Sequence, residues 1–240
     1  MFRKTAMIVG VLYIIGTAAG VLSVVLTQGI LNAPDYLTKI SADSNPILMG
    51  ALFVLTMGLA LALVPVALFP VLKKQDEVLA LGYVVFRGAL ETFIYLALII
   101  TWLFLISVSK EFSAAGAAAA TSIQAMGAVL LKGNDSVNTL LVFVFGLGAL
   151  MLYYLFYRSN LIPRWISIWG FIAILLHLTT GFLIYFNLTS SFSTVTTVMN
   201  IPIFFQEMVM AVWLIAKGFN PSAIASLAAK TAPRQLVSAA

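Results

Sequence analysis

The chain has 240 residues, 62% of them apolar or aromatic and only 9% charged, with a mean hydropathy of +1.08. Thirteen Lys and Arg and eight Asp and Glu cannot cover the surface of a water-soluble domain of this size, so the class is an all-α polytopic membrane protein. Cysteine is absent, which excludes disulfides and thiolate metal sites, and His177 is the only histidine, which makes any metal site depend on carboxylates. No metal and no cofactor are expected. The net charge of +5 is spread over the connections, so it reads as a topology signal and argues against nucleic acid as a partner.

Taken in order, the apolar runs predict six spans of about 20 residues or more, at 6–27, 46–72, 81–107, 137–157, 165–186 and 198–217, followed by a tail over 218–240. The start Met1-Phe2-Arg3-Lys4 belongs to the first span and not to a cleaved leader, because the apolar run is too long for one. Between the first two spans, Asn32-Ala33-Pro34-Asp35 starts a short amphipathic helix with Tyr36, Leu37 and Ile40 on one face, expected on the outer interface. The connection 108–136 is Ala-rich and poor in Leu, Ile and Phe, so it is expected to form an interfacial or partly re-entrant helix. Arg3, Lys4, Lys73, Lys74, Arg158, Arg164, Lys217, Lys230 and Arg234 fall on one side of the layer, and Lys39, Lys110 and Lys132 on the other. This asymmetry places both termini in the cytoplasm. The tail, with Pro221 and Pro233, is expected to begin helical or irregular and then fray.

Small residues mark where helices approach closely: Gly16 and Gly20, Gly58 and Ala62, Gly146 and Ala149. Tyr153, Tyr154 and Tyr157 read as an aromatic belt at the cytoplasmic interface.

Four stretches carry a resemblance. They are Leu-Ala-Leu-Gly-Tyr-Val-Val-Phe-Arg-Gly-Ala-Leu-Glu at 79–91, the Phe-Gly-Leu-Gly-Ala-Leu and Tyr-Tyr-Leu-Phe-Tyr-Arg-Ser runs within 144–159, Pro163-Arg164-Trp165, and the segment from Glu207 through Lys217-Gly218-Phe219-Asn220-Pro221-Ser222. Together they resemble a family of small bacterial multi-pass membrane proteins known only as a domain of unknown function. The resemblance covers nearly the whole chain. It implies a bacterial inner-membrane protein of this span count and brings no activity with it.

The chemistry of the sequence lies in one layer. Glu91 falls ten residues beyond Leu81 and Glu207 ten before Lys217, so both carboxylates sit about 15 Å deep at roughly 1.5 Å per residue, near the midplane. His177 and Tyr13 reach a similar depth, and Arg87 lies one turn away. Arg87, Glu91 and Tyr95 follow at successive turns; Gly170, Ala173, His177, Thr180 and Gly181 share a small polar face; Asn200, Glu207 and Leu214 share another, with Pro202 expected to interrupt the helix before Glu207. Charges inside a bilayer are costly enough to stand as a functional hypothesis by default. With five donors, Arg87 can serve both Glu91 and Glu207. The candidate ligand or proton site is therefore Arg87, Glu91, Glu207, His177, Asn200, Tyr95 and Tyr13.

Three readings follow. In the first, the carboxylates serve a small-ligand or proton-linked transporter or binding protein, its partners being membrane lipids and a small molecule or proton. In the second, His177, Glu91 and Glu207 form an intramembrane enzyme site, by metal or acid–base chemistry, on a lipid-like substrate. In the third, the cluster only docks helices in a structural or sensor protein.

Overall fold

The computed structural model describes residues 2–191 and 193–231. Among these no strand occurs, and six helices are long and apolar enough to cross a membrane. The helices are α1 (Phe2–Leu31), α2 (Tyr36–Ala42), α3 (Asn45–Leu72), α4 (Glu77–Ala114), α5 (Ala117–Ser159), α6 (Arg164–Tyr185), α7 (Thr194–Ala216) and α8 (Pro221–Thr231). The last part of the tail, with Pro233 and Arg234, lies outside the described residues.

The six long helices form a closed ring. Each packs against its neighbour in the sequence, α1 on α3, α3 on α4, α4 on α5, α5 on α6 and α6 on α7, and α7 returns to α1. Consecutive long helices run in opposite directions, because their connections are too short for anything else. The start of α1 and the end of α7 therefore meet at one end of the ring, called proximal here. Arg3 fixes that meeting: its guanidinium donates to the carbonyls of Ile215 (2.8 Å) and Ala216 (3.0 Å), a cation on the unpaired carbonyls at a helix C-terminus. Gly218 follows with φ +76°, which an L residue with a side chain rarely adopts, and turns the chain into α8. Ala223 and Leu227 of α8 are buried with Phe219 in the proximal core, so the described part of the tail is a docked helix.

The small residues hold helices close, as their positions suggested. A methyl group on Gly16 would lie 2.8 Å from Leu61, and one on Gly10 only 2.5 Å from the backbone oxygen of Ala211. A Cβ at Gly58 would touch the ring of Tyr95 at 3.2 Å. Such contacts suit a bundle whose helices gain stability from close packing and not from the exclusion of water.

Several expectations need correction. The Ala-rich stretch is no separate interfacial or re-entrant element: α4 runs to Ala114, the break is only two residues long, and α5 is one helix of 43 residues that includes the rest. At 1.5 Å per residue α5 is about 64 Å long, roughly twice a hydrocarbon layer, so its distal portion stands beyond the ring. It packs there with α4 and with α2, whose Tyr36, Leu37 and Ile40 are buried against Leu105 and Ile106. The apolar face of α2 therefore covers protein instead of resting on an interface. Pro202 does not interrupt its helix either: α7 is helical from Thr194 to Ala216. A membrane helix tolerates the missing N–H where neighbours take up the freed carbonyl. Tyr153 is no belt residue, being 1% exposed inside the ring. Tyr154 and Tyr157 are exposed, under the guanidinium groups of Arg158 and Arg164.

Candidate functional site

The middle of α4 is a π-helical turn, Val84–Leu90, in which the N–H of Glu91 reaches back to the carbonyl of Phe86. One extra residue per turn widens the helix locally, and such turns recur at functional sites. Two glycines make room for it. Gly88 faces Pro65 and the carbonyl of Ala62 on α3, while Gly148 of α5 would place a Cβ 3.3 Å from the backbone nitrogen of Arg87. Arg87 thus leaves α4 where Gly148 lets α5 come close to its backbone.

Its guanidinium collects the cluster. Nη1 donates to both oxygens of Glu91, at 2.9 and 3.0 Å, and Nη2 donates to Oε1 of Glu207 on α7 at 3.2 Å. The hydroxyl of Tyr95 donates to Glu91 Oε1 at 2.9 Å. The ring of Phe145 lies 4.5 Å from the guanidinium carbon and that of Tyr13 5.9 Å, distances at which an aromatic face attracts the cation. Tyr13 shares a hydrogen bond of 3.2 Å with Tyr83. Arg87 and Glu91 are sealed, with side-chain exposures of 3% and 1%, whereas Glu207 is 16% exposed. Taken as ionised, the three sum to one negative charge, and Glu207 accepts only one of the bonds among the described residues.

Of the residues singled out in the sequence, Arg87, Glu91, Glu207 and Tyr95 are brought into direct contact and Tyr13 beside them. His177 and Asn200 make a separate pair, Nδ1 to Oδ1 at 2.8 Å, joined by the hydroxyl of Thr180, with the imidazole edge against Phe145. His177 does not combine with Glu91 and Glu207 into a ligand set: among the described residues no group of three or more His, Asp or Glu is placed to hold a metal. The metal form of the enzyme reading loses its geometry.

A cavity of about 420 Å³ opens beside the cluster, within the range of small-molecule sites. Thr17, Arg87, Tyr95, His177 and Glu207 are its polar lining, and the remainder is apolar or glycine, including Met57, Leu61, Phe145 and Phe204. Val21 and Val25 of α1 and Phe204 of α7 also line it, and all three are exposed on the outside of the ring. The cavity therefore reaches the lateral face of the ring between α1 and α7.

A single model describes residues 8–218, all six spans and every cluster residue included: the domain of unknown function DUF4386. The chain belongs to the DUF4386 family. No curated protein and no solved structure matches it. The DUF4386 match covers α3–α7 and α1 from residue 8 onward, so every residue of the cluster lies within the matched region.

Three site features were not foreseen. The π turn has no sequence signature. Gln206, beside Glu207, is fully buried and links three helices: Oε1 accepts from Tyr153 at 2.7 Å and Nε2 donates to the carbonyl of Ile166 at 3.1 Å. Its signal was available, since an amide within a span also costs free energy to desolvate, though less than the charge that drew attention to Glu207. Trp102 and Asn134 line a second cavity, of about 500 Å³, which shares Tyr95 and Met57 with the first.

Proposed function

We propose that this DUF4386 protein binds a small ligand within the membrane and couples that binding to a proton, as a transporter or carrier. Glu207 is the proton site and Arg87 the switchable partner. The observation that carries this reading is the difference in exposure within one ion cluster: Glu207 borders the cavity at 16%, Arg87 reaches the same lining at only 3%, and Glu91, at 1%, does not line it. A purely docking role would favour three equally sealed groups, because every exposed edge weakens a buried pair. Protonation of Glu207 releases Nη2 of Arg87 while the bidentate contact with Glu91 holds the guanidinium in place. Occupation of the cavity and protonation of Glu207 then compete or cooperate through one hydrogen bond.

The test uses N-phenyl-1-naphthylamine, a neutral apolar fluorophore, with purified protein in nanodiscs between acidic and neutral pH. Wild type is expected to bind it with an affinity that changes with pH, and Glu207→Gln to bind it with an affinity that does not. Retention of the full pH dependence in Glu207→Gln overturns the assignment.

The same proposal places the protein in a bacterial inner membrane, its proximal end in the cytoplasm. The support is the distribution of cations: Arg3, Lys4, Lys73, Lys74, Arg158, Arg164 and Lys217 at the proximal end against Lys39, Lys110 and Lys132 at the distal end. As the chain has no Cys, Ala42→Cys and Ser222→Cys each introduce a single label site. An impermeant maleimide should reach position 42 on intact spheroplasts and position 222 only after lysis. Labelling of both on intact cells refutes the orientation.

A further inference from the structure

The wall of the cavity beside the ion cluster offers hydrogen-bond acceptors and one spare negative charge. Its polar residues are Thr17, Arg87, Tyr95, His177 and Glu207. Arg87 is only 3% exposed, and its bonds go to the two carboxylates. Tyr95 gives its hydroxyl proton to Glu91. Nδ1 of His177 lies 2.8 Å from the side-chain oxygen of Asn200; an amide oxygen accepts, so Nδ1 carries the proton and Nε2 is left as an acceptor. Nε2 takes no hydrogen bond among the described residues. Nor does Oε2 of Glu207, whose other oxygen accepts the single bond from Arg87. The hydroxyl of Thr17 can act either way.

Charge decides what fits. Arg87, Glu91 and Glu207, taken as ionised, leave one negative charge, and Glu207 has the most exposed side chain of the three. An anionic ligand would add a further negative charge beside two carboxylates and could reach Arg87 only by displacing one of them. A neutral ligand would leave the spare charge uncompensated in apolar surroundings, where charge is most costly. A cation compensates it, and an ammonium N–H also gives Oε2 a charge-assisted hydrogen bond. The rest of the lining suits positive charge as well. Phe204 lies one turn before Glu207 on α7, and Phe145 and Tyr95 add two more rings, whose faces attract cations.

We infer that the ligand of this cavity is an apolar monocation, a protonated amine on a hydrophobic body, with its ammonium group on Glu207 and its body against Met57, Leu61 and Val142. The inference rests on the ligand-binding reading above and names its substrate class. One positive charge is required because one negative charge is spare; a second would find no partner in the lining. The body must be apolar because everything in the lining beyond the five polar residues is apolar or glycine. Such a molecule dissolves in a bilayer by its body and reaches the site from there, since the cavity extends to the lateral face of the ring between α1 and α7.

The experiment compares three naphthalenes of nearly the same body: 2-(1-naphthyl)ethylamine, a cation at neutral pH, 2-(1-naphthyl)ethanol, which is neutral, and 1-naphthylacetate, an anion. Each is titrated calorimetrically at neutral pH into phosphatidylcholine nanodiscs that contain the full chain, with empty nanodiscs subtracted. Saturable binding of the amine is expected, about ten-fold or more tighter than that of the alcohol, with the acid weakest. Glu207→Gln should bring the amine down to the affinity of the alcohol while the alcohol binds as in wild type, which shows the cavity intact. Phe204→Leu, a change at a residue exposed on the outside of the ring, should weaken the amine about three-fold more than the alcohol. Equal affinity for amine and alcohol in wild type, tighter binding of the acid, no saturable binding of the amine, or an undiminished preference for it in Glu207→Gln overturns the inference. Should Glu207→Gln lose its fold by circular dichroism, Phe204→Leu decides alone, and an equal effect on amine and alcohol then overturns it. The two readings fail separately. No preference for the amine, together with fluorophore binding whose pH dependence is lost in Glu207→Gln, leaves the proton site standing and removes the cation. A preference that Glu207→Gln abolishes, together with fluorophore binding that ignores pH in wild type, does the reverse.

Discussion

Arg87→Leu is expected to destabilise the protein more than replacement of the whole cluster. Removal of the guanidinium leaves Glu91 and Glu207 buried without their common donor, and breaking a buried pair from one side costs about 3–5 kcal/mol. Substitution of Arg87, Glu91 and Glu207 together by Leu and Met, with Tyr95→Phe so that its hydroxyl is not stranded, removes both the attraction and the desolvation cost. Such apolar replacements of buried ion clusters are often neutral or stabilising. The ordering is therefore the reverse of what a count of lost bonds suggests. Melting of the purified proteins in one detergent decides it. A quadruple variant that melts below Arg87→Leu would show that the cluster contributes net stability and would argue for a docking role over a binding one. Arg87→Lys is expected to fall between them, since one ammonium nitrogen cannot take the places of both Nη1, which serves Glu91, and Nη2, which serves Glu207.

The six spans were legible because the cost of unsatisfied backbone in hydrocarbon leaves long apolar helices as the only option for such a sequence. That Arg87, Glu91 and Glu207 share one level was legible for a related reason: rise per residue is constant in a helix, so distance from a charged connection sets the relative level of each. Contact between them followed from the expense of isolated charges at that level. Other features depend on quantities that hydropathy does not measure. The Ala-rich segment after Gly116 was assigned to an interface because Ala is only weakly apolar, yet Ala is the best helix former, and propensity carried α5 on without a break. Pro202 was expected to end a helix by a rule drawn from water-soluble proteins. The π turn at Val84–Leu90 faces Pro65 of α3 and Gly148 of α5, a tertiary setting that hydropathy along the chain does not register. Tyr153 was given a belt role from its neighbours Tyr154 and Tyr157, although a helix turns about 100° per residue and takes Tyr153 inside while the other two stay outside.

That misreading bears on the other large effect expected. Gly170 on α6 is where Tyr153 lies: a Cβ there would be 2.6 Å from ring carbons Cδ1 and Cε1 of a side chain that is 1% exposed and has nowhere to retreat. The Tyr153 hydroxyl is fixed by Gln206 on α7, and Gln206 by the carbonyl of Ile166, one turn before Gly170 on α6. Three helices meet in this chain of contacts, directly proximal to Glu207. Gly170→Val is expected to cost about 1–3 kcal/mol from overpacking alone. Displacement of the Tyr153 ring would strand its hydroxyl and the Gln206 oxygen and add about as much again. The value of the position is that the cause can be isolated. In a Tyr153→Leu background the ring is gone, so Gly170→Ala should be far better tolerated than in wild type, and the Gln206 oxygen is unpartnered in both members of that comparison and cancels. A coupling energy of about 0.5–3 kcal/mol, read from melting or from unfolding in mixed detergent, is the expected result. Equal costs of Gly170→Ala in the two backgrounds would mean that the ring is not what the glycine accommodates. Since Gln206 precedes Glu207 on the same turn of α7, the same substitution should also alter the affinity of Glu207→Gln and wild type for the neutral fluorophore alike, because it moves the backbone that carries the carboxylate and not the carboxylate's charge.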